Sequence, residues 1–146
     1  PASPANHARI VSSAQFPGSM PVAIPDNDAT GASVTMAVDP AWTWFPDNIT
    51  NIHVGVRITH TWIGDLEVSL ANPAGTTTVM LHDNTGGSAD DIMTVYDLAT
   101  SVDDTTNTMT SFDGQTTAGS WTLRAVDSST GDTGTIVDWI LFVEGT

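Results

Sequence analysis

Short stretches in which apolar and polar residues alternate are the feature of this sequence that most restricts its fold. In LEVSL, at residues 66–70, the two leucines and the valine fall on one face of an extended strand, and the glutamate and serine on the other. The same period recurs in SVTMAV, NIHVGVRI, TTVML, SWTLRAV and TIVDWILFV. In the last stretch it predicts one shared face for Val137, Trp139, Leu141 and Val143. No window of helical length has an apolar period of 3.6 residues, so we expect little or no helix.

Turn-forming residues separate these predicted strands. The segments PDNDATG, NPAG, DNTGGSADD and DSSTGDTG concentrate glycine, proline, asparagine and aspartate between the alternating stretches. Many short strands with this punctuation predict an all-β architecture, a β sandwich or jelly roll. A chain of 146 residues has room for one such domain. Its start, PASPANHA, is typical of a linker, and we assign residues 1–15 to a linker or a lead-in to the first strand.

The composition excludes several classes of partner and site. Acidic residues number 17 against three arginines and no lysine, which gives a formal net charge of −14. Nucleic acids and anionic membranes require a cationic surface, so we expect neither as a partner. The chain has no cysteine, which excludes disulfides and thiolate zinc sites. It also has no apolar run near the ~18 residues that cross a bilayer.

Aspartates beside glycines and strand ends are the candidate ligands for a metal ion. Three parts of the chain combine short carboxylates with glycines that turn backbone carbonyls outward. They are Asp65 with its neighbouring glycine, the loop that contains Asp83 and Asp91, and the DSSTGDTG segment. Hard cations such as Ca²⁺ bind six to eight oxygens of this kind. The alternative is that these aspartates form Asx-turns and keep the surface soluble.

Other motifs support no catalytic centre. The sequence contains neither a GxSxG nucleophile elbow nor an HExxH zinc motif, so we predict no catalytic residues. The pair Trp42 and Trp44 in AWTWFP has the spacing of a strand, on which both rings would face one way. Exposed, these rings would form a platform for a sugar or an aromatic side chain; buried, they would belong to the core.

Five phrases in order resemble the P domain, also called the Homo B domain, of proprotein convertases and bacterial subtilisin-like proteases. They are VAIPDN, the alternating strand that precedes HTWIGDLEVSLANPAGT, that phrase itself, LHDNTGGSADD and AGSWTLRAVDSSTGDTGTIVDWILFVEGT. The resemblance covers residues 16–146. Eukaryotic convertases commonly have a basic residue and then an RGD motif at this position. This chain has Trp62 and Ile63 before Gly64 and Asp65, and the absence of RGD is typical of a bacterial member.

The resemblance implies a jelly roll of about eight strands that is joined to the catalytic domain of a secreted bacterial serine protease. The module would be non-catalytic, stabilise or modulate its protease partner in the same chain, and bind Ca²⁺. The calcium positions that match are Asp65, Asp83, Gly86, Asp91 and Asp26, with Asp127 and Asp132 as the next candidates. The alternative function is a substrate-anchoring module that binds a protein or polysaccharide.

Overall fold

Nine β-strands make up about half of the protein. A computed structural model describes residues 5–146, so the first four residues of the predicted linker lie outside the described residues. The strands are β1 (His7–Ser12), β2 (Val22–Ile24), β3 (Asp28–Val38), β4 (Ile49–His60), β5 (Leu66–Ala71), β6 (Thr78–Asp83), β7 (Ile92–Tyr96), β8 (Gly119–Asp127) and β9 (Gly134–Gly145). Helical structure within residues 5–146 is limited to three 3₁₀ turns, Ser13–Gln15, Ile63–Asp65 and Met109–Phe112. The all-β prediction is confirmed.

The strands form two antiparallel sheets. One sheet has the order β1-β9-β4-β7, with β2 also paired to β9, and the other has the order β3-β8-β5-β6. The edge of β9 that does not face β4 pairs with β1 over residues 140–145 and with β2 over residues 134–136. Because β1 and β2 together fill one strand position, nine strands occupy the eight positions of a jelly roll. The predicted jelly-roll sandwich is therefore confirmed.

The core lies between the sheets and consists of the residues that the alternation predicted, except in β9. The side chains of Trp121 and Trp139 are fully buried there. In β9 the core face contains Ile136 rather than Val137, because the pairing with β4 shifts by one residue. Asp138 pairs with Arg57 and Ile136 with the next residue of β4, so Val137 is the extra residue of a β-bulge. The predicted position of Val137 on the core face was wrong for this reason.

The outer edge of β6 is covered by the segment that follows β7. Asp103 and Asp104 donate their backbone N–H groups to the carbonyls of Leu81 and Met80, at 3.1 and 3.0 Å. The Asp104 carboxylate accepts hydrogen bonds from the backbone N–H groups of Met80, Thr106 and Asn107 at 2.8–2.9 Å. These contacts occupy an edge that would otherwise offer unpaired backbone groups to another chain.

Asp104→Ala should lower the free energy of unfolding by about 1.5 kcal/mol, because three backbone donors lose a charged acceptor. The N–H of Met80, followed by those of Asn107 and Thr106, holds the pKa of Asp104 below its usual value. This carboxylate therefore stabilises the fold above its unfolded pKa of about 3.9 and ceases to do so as the pH falls through its lower folded pKa. Urea denaturation at pH 7 and at pH 2.5 measures both effects; equal losses at the two pH values would contradict the assignment.

Candidate functional site

All seven predicted calcium positions lie at one end of the sandwich, which we call the acidic end. Alternating strand directions bring the ends of β2, β4, β6 and β8 to the starts of β3, β5, β7 and β9. Cross-strand pairs show this arrangement: Asp127 lies opposite Asp28 and Leu66, and Asp83 lies opposite Glu67. The acidic end is defined by Asp26, Asp65, Asp83, Gly86, Asp91, Asp127 and Asp132.

Backbone hydrogen bonds join the loop after β4 to the loop after β6. The N–H of Gly64 donates to the carbonyl of Gly87 at 2.9 Å, and that of Ile63 donates to Ala89 at 3.0 Å. Gly86 has a φ of +88°, and a β-carbon on it would lie 2.6 Å from the Ile63 side chain. Only glycine fits this backbone and this contact, so Gly86 allows the two loops to pack closely whether or not its carbonyl binds an ion.

A buried His60–Asp127 pair lies beneath the loops of the acidic end. Both side chains are 0% exposed, and His60 Nε2 lies 2.9 Å from Asp127 Oδ2. His60 Nδ1 accepts a hydrogen bond from the backbone N–H of Trp62 at 3.0 Å, so its proton resides on Nε2, which donates to the carboxylate. Asp127 Oδ1 accepts from the backbone N–H of Ser129 at 3.0 Å. Both oxygens of Asp127 are thus engaged within the protein.

The other carboxylates differ in how many of their oxygens are engaged. Asp91 Oδ1 accepts from the backbone N–H of His60 at 2.9 Å. Asp132 Oδ1 accepts from the Thr61 hydroxyl at 2.7 Å, and Asp26 Oδ2 accepts from the N–H of Gly131 at 3.2 Å. By contrast, the carboxylates of Asp65 and Asp83 accept no hydrogen bond from any residue in the described range 5–146.

The donor set suits a hard cation in its chemistry. Carboxylate, amide and glycine carbonyl oxygens all occur at this end, and these are the ligands that Ca²⁺ takes. Within the described residues, no three histidine or acidic side chains lie close enough together to share a metal ion. A calcium site would therefore combine at most two carboxylates with backbone and amide oxygens, and the unengaged carboxylates of Asp65 and Asp83 fit this role best.

Trp42 and Trp44 lie in the loop between β3 and β4, not on a strand. Their rings stack face to face with centroids 5.0 Å apart, and Trp44 also meets the edge of Phe45. Trp42 packs against the core, while Trp44 is 41% exposed. The two rings therefore overlie each other instead of lying side by side, so a ligand platform, which stays a prediction, would consist of Trp44 alone.

The side-chain contacts of two residues at the acidic end were not identified from the sequence. His60 belongs to no sequence motif, yet it is the buried, hydrogen-bonded partner of Asp127; its even spacing from the buried residues of β4 was the available signal of its burial. Asn84 has a φ of +55°, and its side-chain amide lies 3.1 Å from the Gly64 carbonyl and 3.2 Å from the Ser128 hydroxyl. Asn84 thereby connects three loops of this end.

The family model described as the proprotein convertase P-domain matches residues 49–143, which is more than half of the chain. The chain belongs to this P-domain family. It is 38% identical over 115 residues to a calcium-dependent protease of Trichormus variabilis, covering 77% of this chain and 16% of that protein. It is also 33% identical over 127 residues to a transglutaminase-activating metalloprotease of Streptomyces mobaraensis, covering 86% of this chain and 14% of that protein. This P domain thus spans about one sixth of the length of these relatives.

The fold is also similar to part of the serine protease of Aeromonas sobria. In the crystal structure of that protease with a chaperone, the match has a TM-score of 0.64 at 19% identity and covers 97% of this chain and 27% of that one. At this identity the likeness shows the fold alone. Among residues 5–146 of the P domain, no helix has both the length and the apolar character needed to span a bilayer.

Proposed function

We propose that this P domain is a non-catalytic accessory module of a secreted bacterial serine protease, and that Ca²⁺ bound at its acidic end helps it to stabilise the attached catalytic domain. The observation that carries the proposal is the convergence of seven predicted positions from separate loops at one end of the sandwich. The one arginine–carboxylate ion pair among residues 5–146, between Arg57 and Asp138, lies elsewhere. Arg124 lines a cavity together with Glu67 and Asp127, but its guanidinium donates to the backbone carbonyls of Ala29 and Thr30. Within residues 5–146, no carboxylate of the acidic end forms an ion pair with an arginine.

Relatives support the protease context. The Trichormus variabilis relative is called a calcium-dependent protease, and the Aeromonas sobria structure is that of a serine protease. In both cases the matched region is a minor part of a longer chain, as an accessory module would be. The Streptomyces mobaraensis relative is a metalloprotease, so modules of this kind accompany more than one catalytic class.

Asp65 and Asp83 would hold the ion together with backbone carbonyls of the loop that contains Gly86. Bound Ca²⁺ supplies positive charge and fixes oxygens that otherwise repel one another. The surrounding contacts already orient these loops: the backbone hydrogen bond from Gly64 to Gly87 holds two of them together, and the His60–Asp127 pair anchors them to the core. Ordering this end of the sandwich would stabilise the whole module, because an ion that binds only the folded state raises its stability.

Removing the module should shorten the half-life of the protease at elevated temperature by about tenfold, which corresponds to about 1.4 kcal/mol in the barrier to inactivation. The measurement compares thermal inactivation of the protease with and without the module, each in excess Ca²⁺ and in chelator. The protease domain alone is the control for calcium that it binds itself. Equal half-lives with and without the module in Ca²⁺ would contradict the stabilising role.

A further inference from the structure

An open cavity of about 290 Å³ is lined by residues of β6 and β7, each of which is the last strand of its sheet. Its apolar walls are formed by Leu81, Ile92 and Met93, and it borders the acidic end at Gly86 and Asp91. A single buried water molecule needs only about 10–15 Å³. The cavity therefore has room for an alkyl chain and a polar group, and its polar lining indicates which group.

A β-bulge in β6 turns His82 toward the space between the sheets. The pairing of β6 with β5 shifts by one residue, and Leu81 is the extra residue. Strict alternation from the buried Val79 would turn Asp83 inward, but the bulge places His82 opposite the core residue Val68 and leaves Asp83 exposed. Bulges of this kind commonly redirect a side chain beside a functional site. Here the redirected side chain is a histidine that lines the cavity.

One ring nitrogen of His82 has no donor. The Nε2 atom lies 2.8 Å from the carbonyl oxygen of Ile63 and donates to it, so Nδ1 carries a lone pair in the neutral ring. The hydroxyl of Thr85 is 3.5 Å from Nδ1, but it gives its hydrogen to Asp103 Oδ2 at 2.6 Å. The His82 side chain is only 8% exposed. Nδ1 is thus a buried acceptor that nothing in residues 5–146 satisfies, and such atoms are costly unless a donor reaches them.

Two further acceptors line the same cavity. Asp103 Oδ2 accepts from the backbone N–H of Asp83 and from Thr85, whereas Oδ1 accepts no hydrogen bond within the described range. The hydroxyl of Tyr96 likewise has no hydrogen-bond partner among residues 5–146. Burial, and then the charge of Asp103, raise the pKa of Tyr96, so this hydroxyl keeps its proton and accepts through its oxygen. In the same range, His82 is the only basic side chain within 4.0 Å of Asp103.

We infer that this cavity binds a primary alkylammonium group, carried by a lysine side chain of another protein or by a free amine. The three hydrogens of an ammonium group match the three free acceptors, His82 Nδ1, Asp103 Oδ1 and the Tyr96 hydroxyl. The Asp103 carboxylate offsets the positive charge, and the apolar walls take the alkyl chain. An alcohol has one donor and a guanidinium has five in a flat fork, so neither matches this set. The chain has no lysine, so none of its own side chains supplies the group.

Titration of the ¹⁵N-labelled P domain with n-butylammonium, followed by the backbone NMR shifts, tests this inference. The matched control ligand is n-butanol, which has the same alkyl chain and no charge. Both titrations are run at constant ionic strength in excess Ca²⁺ and in chelator, because the cavity borders the acidic end. We expect n-butylammonium to shift the residues that line the cavity, with a dissociation constant on the order of 1 mM, and n-butanol to bind at least about tenfold more weakly.

Two variants keep the fold and remove one acceptor each. Asp103→Asn removes the charge but retains an oxygen for Asp83 and Thr85, and it should weaken n-butylammonium binding by about tenfold. Tyr96→Phe removes only the hydroxyl and should weaken binding by about threefold. The matched control is Asp97→Asn, which removes the same charge from an exposed residue that does not line the cavity. Asparagine tolerates the φ of +66° at this position, and binding should be unchanged.

Three outcomes would overturn the inference. Equal affinity for n-butanol would mean that the cavity takes only the alkyl chain. Equal weakening by Asp103→Asn and Asp97→Asn would reduce the effect to attraction by the net charge. Binding that occurs in chelator and is lost in Ca²⁺ would place the amine at the calcium site. If the inference holds, Nα-acetyl-lysine methylamide identifies the source: affinity equal to that of n-butylammonium supports a lysine side chain, and much weaker binding supports a free amine.

Discussion

Asp127→Ala should lower the free energy of unfolding by about 2–4 kcal/mol, because two donors lose their acceptor, a buried one at about 1–3 kcal/mol and one in an exposed turn at about 1 kcal/mol. These donors are the Nε2–H of His60 and the backbone N–H of Ser129, at 2.9 and 3.0 Å from the carboxylate. The side chains of His60 and Asp127 are both 0% exposed, so water does not replace the acceptor that His60 loses. Urea denaturation in chelator measures the loss without any contribution from bound Ca²⁺.

Asp127→Asn separates a turn-forming role from the buried pair. Asparagine caps a turn about as well as aspartate, so a residue that served only the Ser129 N–H would tolerate it. Here one of the two donors would face an amide NH₂ group, and His60 has no second tautomer to offer, because its Nδ1 accepts from Trp62. We therefore expect Asn to recover at most half of the stability lost in Asp127→Ala.

The matched control is Asp132→Asn, which changes an aspartate of the same end whose oxygen accepts only from an exposed threonine hydroxyl. Its loss should stay below about 1 kcal/mol. Full stability of Asp127→Asn would contradict the role of the buried pair. A loss that occurs in Ca²⁺ but not in chelator would instead assign Asp127 to the ion.

The alternation of apolar residues predicted the core strands because each of them buries one face only. This holds for β3, β5 and β8, where the period alone identifies the inward residues. It fails in β9, where a bulge at Val137 changes the parity and apolar residues on both faces hide the period. The bulge depends on register with β4, which local sequence does not encode.

The candidate site was predictable as a set of residues but not as a set of contacts. The resemblance to a family supplied the positions, and strand order, which is a property of the whole fold, brings them to one end. The partner of His60 could not be found from the sequence, because Asp127 lies 67 positions away. Which carboxylates are engaged also depends on tertiary hydrogen bonds, and these distinguish Asp65 and Asp83 from Asp26, Asp127 and Asp132.

Asp65→Asn should abolish most of the rise in melting temperature that Ca²⁺ produces. An ion present at 100 times its dissociation constant adds about 2.7 kcal/mol, which for a domain of this size is a rise of about 5–11 °C. Asp65 is the test position because its carboxylate accepts no hydrogen bond in the part of the chain that the structure describes. In chelator the variant should melt at or slightly above the native temperature, because one repelling charge is gone.

Asp132→Asn is again the matched control, since it removes the same charge from the same end while its carboxylate is engaged with Thr61. If Ca²⁺ acts at a defined site, Asp132→Asn keeps most of the rise and Asp65→Asn loses it. Equal, partial losses in both variants, or the same rise in Mg²⁺ as in Ca²⁺, would mean that divalent ions only screen the collective charge of the acidic end. The two variants differ in position and not in charge, so the comparison distinguishes coordination from screening.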